Sequence, residues 1–330
     1  MGIVTNLSQL DEQDTFFLFV NEAISRPNLK VFVFEACDLD KNDFLEAKQI
    51  TERVSFKSRA KLQDKKAIMS LTDFDMIFLK KDPPITKNYE RLLNRLIAKK
   101  VPTVNKPQGL FKMGTKTYLK NFPKLTPRTY YANTVSDALK FIKKIGNCMI
   151  KKSDSSGGYG VKHVYSKAGL FYEFKHRKKT LMSKENLSEI IDKYIKNSVD
   201  KTILVVEYLL SAPKRGDKRV VILEGEILGS YIRLPDKEEG VCVCGNNGAA
   251  LCPPSKDDIK MVKTLKPHLI KNGIELAALD LLMCKDGLDH LSEINVFNPG
   301  FCNLDVVHNK LNIGKRIVDM LCRKMTKSLN

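Results

Sequence analysis

The chain has 330 residues, 43% of them hydrophobic and 8% aromatic, enough for a substantial core and for two or three domains. Its longest apolar runs, such as Ile203 to Val206 or Ala277 to Met283 with the charged Asp280 inside, are too short or too broken to span a membrane. The net charge of +18 suits nucleic acid, anionic membranes or polyphosphate substrates. The lysines are dispersed, however, and only Lys175 to Lys179 forms a dense run, so nucleic acid is disfavoured as the main partner.

The N-terminus, Met1 to Asn6, lacks the basic and apolar regions of a signal peptide, and a cytoplasmic location without membrane attachment is expected. Eight cysteines without regular spacing read as free thiols of a reducing compartment. Cys242, Cys244 and Cys252 are the one local cluster, and no neighbouring histidine completes a zinc set.

In chain order, residues 2–5 and Val31 to Phe34 are buried-strand patterns that flank a helix over Phe16 to Ile24. Met76 to Leu79 is a further strand, stopped by Lys80-Lys81-Asp82-Pro83-Pro84 because two prolines cannot continue a ladder. A helix over Asn88 to Lys99 and a short strand over Val101 to Val104 complete a strand–helix rhythm that predicts an open, mainly parallel sheet over the first ~120 residues. Val135 to Ile145 is a helix. Cys148 to Lys151 and Val161 to Tyr165 form a hairpin with a glycine-rich tip, and residues 170–200 are charged and helical towards their end. Strands follow at Ile203 to Leu209, Arg219 to Leu223 and Ile227 to Ile232, the last two joined by the tight turn Glu224-Gly225-Glu226. A helix over Asp257 to Asn272, strands at 276–283 and 290–296 and a closing helix over Ile313 to Met325 end the chain.

Three groups of residues have chemical potential. Ser155-Ser156-Gly157-Gly158-Tyr159-Gly160 between two strands exposes consecutive backbone N–H groups suited to phosphate oxygens, and Lys151 stands just before it. The spacing is neither a Walker loop nor a dinucleotide fingerprint, and a plain turn with an exposed edge lysine is the competing reading. Asp280 interrupts the apolar strand Leu279 to Leu282, while Glu293 and Asn295, two apart, share a face of the next strand. Oxygen donors on adjacent strands suit magnesium, and an acid inside an apolar strand costs several kcal/mol unless paired or metal-bound. Solvent-facing strand ends are the alternative. Arg219 in Gly216-Asp217-Lys218-Arg219, and Arg233 further on, offer planar forks for a carboxylate or phosphate, although each taken singly could equally be a surface ion pair.

Taken in this order the segments resemble the prokaryotic glutathione synthetases of the ATP-grasp superfamily. The match rests on Lys80 to Pro84, Val104-Asn105-Lys106-Pro107, Lys116, Leu125-Thr126-Pro127 and Lys151 before the glycine loop. It continues through Glu207-Tyr208-Leu209, Gly216 to Arg219, Arg233-x-Pro235, Leu279-Asp280 and Glu293-Ile294-Asn295-Val296. The resemblance implies an α/β ATP-grasp fold. Its expected parts are an N-terminal open parallel-sheet domain over 1–122, a small central lid with the glycine-rich loop over 123–200, and a C-terminal α+β domain with the magnesium site over 201–330.

It also implies an ATP-dependent ligase that activates γ-glutamylcysteine as an acyl phosphate and joins it to glycine. Lys116 and Lys151 would hold the ATP phosphates, the loop with Gly157, Gly158 and Gly160 would close over them, the backbone of Glu207, Tyr208 and Leu209 would read the adenine edge, and Asp217 would also belong to the ATP site. Asp280, Glu293 and Asn295 would hold magnesium, or manganese in its place. Arg219 and Arg233 would be catalytic and, with Asn246, Pro299 and Gly300, would bind the substrate. A homo-oligomer is the expected assembly. The chain departs from the family where Asn298-Pro299-Gly300 follows the metal motif, and where Cys242 and Cys244 enter the loop Asp236 to Leu251, which leaves the acid and amine open. A related ligase that adds amino acids to another peptide or protein, and a basic nucleic-acid-binding protein without turnover, are the alternatives.

Overall fold

The computed structural model describes residues 1–12, 14–82, 85–155, 160–175, 178–210, 216–234, 248–284, 289–300, 304 and 311–329. Its first sheet is built from β1 (Gly2–Val4), β2 (Val31–Phe34), β3 (Phe44–Ile50), β4 (Ala67–Ser70), β5 (Ile77–Leu79) and β6 (Thr103–Val104), in the order β4-β3-β2-β1-β5-β6. β1, β2, β5 and β6 pair in parallel, as the strand–helix rhythm predicts. β3 and β4 add an antiparallel margin that the sequence reading missed. In β3 the apolar Leu45 and Ala47 alternate with exposed Phe44 and Glu46, the pattern of a strand with one wet face, and its polar half masks it. α1 (Phe16–Ile24), α2 (Lys87–Ala98) and α3 (Pro107–Met113) flank this sheet. α2 starts where the Thr86 hydroxyl accepts the Tyr89 N–H, and it buries Tyr89, Leu92, Leu93 and Leu96.

The middle sheet is antiparallel throughout, in the order β11-β10-β9-β8-β12-β7. Its strands are β7 (Thr129–Ala132), β8 (Asn147–Lys152), β9 (Val161–Lys167), β10 (Leu170–Lys175), β11 (Lys178–Met182) and β12 (Ile203–Glu207). α4 (Val135–Ile145) and α5 (Lys184–Asn197) cover one face. In the stretch 170–200, read as charged and helical towards its end, α5 forms that end, while Leu170–Lys175 and Lys178–Met182 are the antiparallel strands β10 and β11, which the sequence reading missed. Every residue of Lys178 to Leu181 is exposed, so this edge strand carries no apolar signal.

The third sheet has the order β15-β14-β13-β16-β17, from β13 (Asp217–Leu223), β14 (Glu226–Arg233), β15 (Ala249–Leu251), β16 (Leu276–Leu282) and β17 (His290–Asn295). α6 (Lys256–Lys271) and α7 (Ile313–Leu329) complete the described elements. The β13–β14 turn is Glu224–Gly225 with φ of 52° and 78°, the left-handed pair of a type I′ hairpin, and it sets the register Leu223↔Glu226.

The first and third sheets share their cores. Val4, Ile77 and Leu79 pack in one cluster with Val220, Ile222 and Leu279, and Phe16 and Phe19 of α1 share another with Ile317 and Leu321 of α7. The middle sheet has a separate core, from Ala132 and Ile142 to Ile191 and Val205. Gly109 permits a close approach between α3 and the end of α6, since a Cβ there would stand 2.1 Å from the Asn272 carbonyl oxygen.

One buried side chain pins the first sheet to the third. Asn105 Oδ1 accepts the N–H groups of Glu275 and Leu276 at 2.8 and 2.9 Å, and its Nδ2 donates to the carbonyls of Leu276 and Val296 at 2.8 and 2.7 Å. Replacing Asn105 by Ala orphans several buried backbone groups. It should lower unfolding stability by at least about 2 kcal/mol, seen as a reduced urea midpoint at unchanged m-value.

Candidate active site

Antiparallel register lines up the third sheet's polar residues. Arg219 on β13 stands opposite Asp280 on β16, which stands opposite Glu293 on β17. Arg233, near the end of β14, faces Asp217. Arg219 grips Asp280 with a two-pronged fork, Nε to Oδ1 at 2.8 Å and Nη2 to Oδ2 at 2.9 Å. Arg233 Nε donates to Asp217 Oδ1 at 2.6 Å, its Nη2 donates to Asp217 Oδ2, and that Nη2 also lies 2.9 Å from Asp280 Oδ2. Arg219, Arg233 and Asp280 are each 7% exposed, so these are buried charges and not surface ion pairs.

Burial pushes the Asp280 carboxyl up, but the guanidinium groups of Arg219 and Arg233 overcome it and hold the acid well below the usual carboxylate range. Asp217 moves the other way. Burial raises it, Arg233 opposes this, and the like charge of Asp280 adds to the rise, because the two carboxylates share Arg233.

The middle sheet meets this row from the other side. Lys116, 7% exposed, lies in a short 3-10 helix; its Nζ reaches Glu293 Oε1 at 2.9 Å and also donates to the Ser155 carbonyl. Lys151 Nζ donates to the Ser292 hydroxyl at 3.3 Å. Loss of water, and next the positive charge of Lys116, lower Lys151; Glu293, Asp217 and Asp280 oppose both, and the balance stands at about 8. Lys116, Lys151, Asp217, Asp280 and Glu293 therefore lie within electrostatic reach of one another. Asn295 Nδ2 donates to Asp280 Oδ2 at 3.0 Å, and Glu293 is the cross-strand partner of Asp280.

Ser292 was not singled out from the sequence. The β16–β17 register shifts between Asp280 and Leu281, so Asp280 pairs with Glu293 and Leu281 with Leu291, and Ser292 is the extra residue of a bulge. That bulge lets Ser292 and Glu293 meet the two lysines. No sequence signal announces it.

The other predicted residues are distributed as follows. The N–H groups of Glu207 and Tyr208 bond to the carbonyls of Arg128 and Asn147, which leaves the Leu209 N–H and outward carbonyls for a base edge. The Tyr208 ring stacks on His163 with centroids 3.9 Å apart, and Phe174 stacks at 4.7 Å from His163. Burial lowers this imidazole to about 4, so it is a neutral aromatic plate at physiological pH. Gly160 has φ of 74° at the start of β9. The Gly300 carbonyl accepts from Arg219 Nη1 at 3.3 Å and from the Tyr231 hydroxyl at 3.1 Å, and Pro299 beside it is buried. Gly157, Gly158, Asn246, Cys242 and Cys244 lie outside the described residues.

Asp280, Glu293 and Asn295 offer two carboxylates and an amide oxygen, the donor chemistry of a hard divalent cation. Glu293 Oε2 and Asn295 Oδ1 take no hydrogen bond from the described residues, whereas both Asp280 oxygens are engaged by Arg219, Arg233 and Asn295, so Asp280 would have to exchange an arginine contact for the ion. A second acidic cluster, Glu35, Cys37 and Asp38, is already neutralised by Lys65, whose Nζ lies 2.5 Å from Asp38 and 3.5 Å from Glu35. Among the described residues no helix is long and apolar enough to cross a membrane.

Residues 2–110 match the family model of the prokaryotic glutathione synthetase N-terminal domain, and residues 115–309 that of the prokaryotic glutathione synthetase ATP-grasp domain. The chain is 26% identical over 315 residues to the glutathione synthetase of Gloeobacter violaceus, covering 91% of this chain and 89% of the relative. It is 28% identical over 264 residues to that of Yersinia pestis, covering 78% and 75%. The crystal structure of D-cycloserine synthetase DcsG superposes with a TM-score of 0.69 at 13% identity, covering 98% and 99%, and shares the fold. The fold is that of the ATP-grasp proteins, as the resemblance implied.

Lys151 supplies a pH test. Its folded value of about 8 lies below the ordinary 10.5, so between those values the unfolded chain holds a proton that the folded chain has lost. The penalty is complete below about 8 and fades as pH rises through that window. Lys151→Met should therefore stabilise the ligand-free protein most at pH 7, and this advantage should shrink by pH 10 in paired denaturation curves.

Proposed function

We propose, because this chain belongs to the prokaryotic glutathione synthetase family, that it joins γ-glutamylcysteine to glycine through an acyl phosphate, with magnesium as its metal. It is an ATP-dependent ligase that forms C–N bonds, and it uses a divalent metal ion. The substrates and residue roles are our reading. A single observation carries that reading: Lys116 from a short 3-10 helix and Lys151 from the middle sheet converge on a row of carboxylates, arginines and an amide in the third sheet.

Lys116 and Lys151 hold the nucleotide phosphates, and their charge offsets the negative charge brought by ATP. The His163–Tyr208 stack and the Leu209 N–H form the base pocket, under a lid made by the middle sheet. Asp280, Glu293 and Asn295 hold the magnesium ion, which when bound neutralises phosphate charge and fixes phosphate orientation. Arg219 and Arg233 orient the acid carboxylate in line with the terminal phosphorus and stabilise the equatorial oxygens in transit. One carboxylate oxygen forms the new O–P bond as ADP leaves with the electron pair of the broken bond. The glycine amine then attacks the acyl carbon, phosphate departs with its bonding pair, and the amine nitrogen gives up a proton. Closure of the lid keeps water from the acyl phosphate.

Incubation with ATP, magnesium, γ-glutamylcysteine and glycine should release phosphate only when both amino substrates are present, with a product of the ligated tripeptide's mass. Release with other acids or amines alone would shift the assignment to a sister ligase. Absence of release with any acid, together with salt-sensitive nucleic-acid binding, would remove it. Glu293→Ala should cut kcat on the order of 10²–10³-fold or more with circular dichroism unchanged. Near-normal turnover would exclude Glu293 from the metal site.

A further inference from the structure

The segment Lys80 to Asp82 has no part in the chemistry above, yet it lies at a place where open sheets bind ligands. The chain leaves β1 for β2 on one side and returns through β5 on the other, so the carboxyl ends of β1 and β5 flank a topological switch point. Lys80, Lys81 and Asp82 follow β5 directly, and the Lys80 N–H is tied to the Val4 carbonyl at 2.9 Å. Lys80 is taken up by Asp14, with Nζ to Oδ1 at 2.5 Å.

Lys81 is 4% exposed, donates to the Asp82 carbonyl at 3.0 Å, and lies 5.4 Å from the centre of the Tyr89 ring. Burial lowers its ammonium below the ordinary value, so an incoming anion would relieve a desolvated cation. Asp82 is an exposed residue, although burial pushes its carboxyl up, with the charge of Lys80 and then the Asn298 hydrogen bond opposing; its Oδ2 accepts Asn298 Nδ2 at 2.8 Å. Tyr89 is 1% exposed, and its buried hydroxyl has no hydrogen-bond partner among the described residues. Burial, and next the charge of Asp82, push that phenol up, which puts it beside the same acid. A buried hydroxyl without a partner among the described residues, beside a buried ammonium and a carboxyl whose charge it feels, is unusual unless a ligand completes it.

The segment that holds Asp82 also touches the reacting centre. Asn298 bonds Asp82, and two residues later the Gly300 carbonyl accepts from Arg219. Their α-carbons are at most about 7 Å apart, so one short segment bonds Asp82 at one end and Arg219 at the other. We infer that Lys81, Asp82 and Asn298, with the Tyr89 hydroxyl, form a subsite for the far end of the acid substrate, where an α-amino-acid head presents an ammonium to Asp82 and a carboxylate to Lys81. This deepens the proposed function and rests on its assignment of Arg219 and Arg233 to the reacting carboxylate.

The test compares wild type and Asp82→Asn with γ-glutamylcysteine and with glutarylcysteine, which lacks the ammonium. Asp82→Asn should raise KM for γ-glutamylcysteine about 10–100-fold and leave KM for ATP in place. Wild type should lose a similar factor with glutarylcysteine, and the substitution should then add nothing further. An equal penalty on both acids, or a matching rise in KM for ATP, would overturn the subsite. Should Asp82→Asn fail to fold, Lys81→Met with 4-aminobutyrylcysteine, which lacks the distal carboxylate, gives the same cycle. If wild type turns over a different acid, the glutathione assignment fails. The subsite is then tested with that acid and its desamino form, and it is overturned if wild type prefers acids without an amino head.

Discussion

The third sheet is organised around a single buried carboxylate. Asp280 sits in the middle of β16 with two guanidinium groups and an amide on it, and an arginine that turns to another anion must be replaced at this carboxylate by another cation. Breaking such a pair by removing one partner typically costs about 3–5 kcal/mol, whereas an apolar replacement of the whole set is often neutral. Stability alone therefore does not explain the network, and its value lies in position. That position is a matter of register, because a one-residue slip of β13 against β16 would turn Arg219 to the opposite face. The type I′ turn at Glu224–Gly225 guards the register of β13 against β14 from one end, and the run Val220 to Leu223 against Leu276 to Leu279 holds β13 against β16.

The charges of the site nearly cancel while leaving a cationic remainder. Lys116, Lys151, Arg219 and Arg233 face Asp217, Asp280 and Glu293, so four positive groups meet three negative ones. A cationic remainder of this kind attracts an anionic nucleotide and a carboxylate. The depressed Lys151 shows how closely the balance is drawn: desolvation and Lys116 press it down, and three carboxylates prevent a larger fall.

Much of this was legible in the sequence, for identifiable reasons. Asp280 stood out because an acid in an apolar strand demands a partner, and Glu293 with Asn295 because a period of two puts them on one face. The partner of Asp280 was less legible. Arg219 and Arg233 looked like forks for a substrate, yet in the ligand-free protein both lie on Asp280, and cross-strand pairing is not visible from one strand at a time. Ser292 escaped because a bulge leaves no mark in composition. His163 escaped because its role comes from Phe174 and Tyr208 across neighbouring strands. β3, β4, β10 and β11 escaped because the margins of the two sheets, with one or both faces wet, alternate too weakly to be read.

The middle sheet's apolar core is separate from those of the other two sheets, and at the active site its described links are polar. Lys116 N–H donates to the Ser153 carbonyl at 2.7 Å, Thr117 and Ser153 share Asp200, and Lys151 meets Ser292. Apolar contacts resist sliding through many small terms, while a few hydrogen bonds can be exchanged for water one by one. This part of the chain should thus behave as its own cooperative unit, with amide exchange and heat absorption that need not coincide with those of the fused remainder.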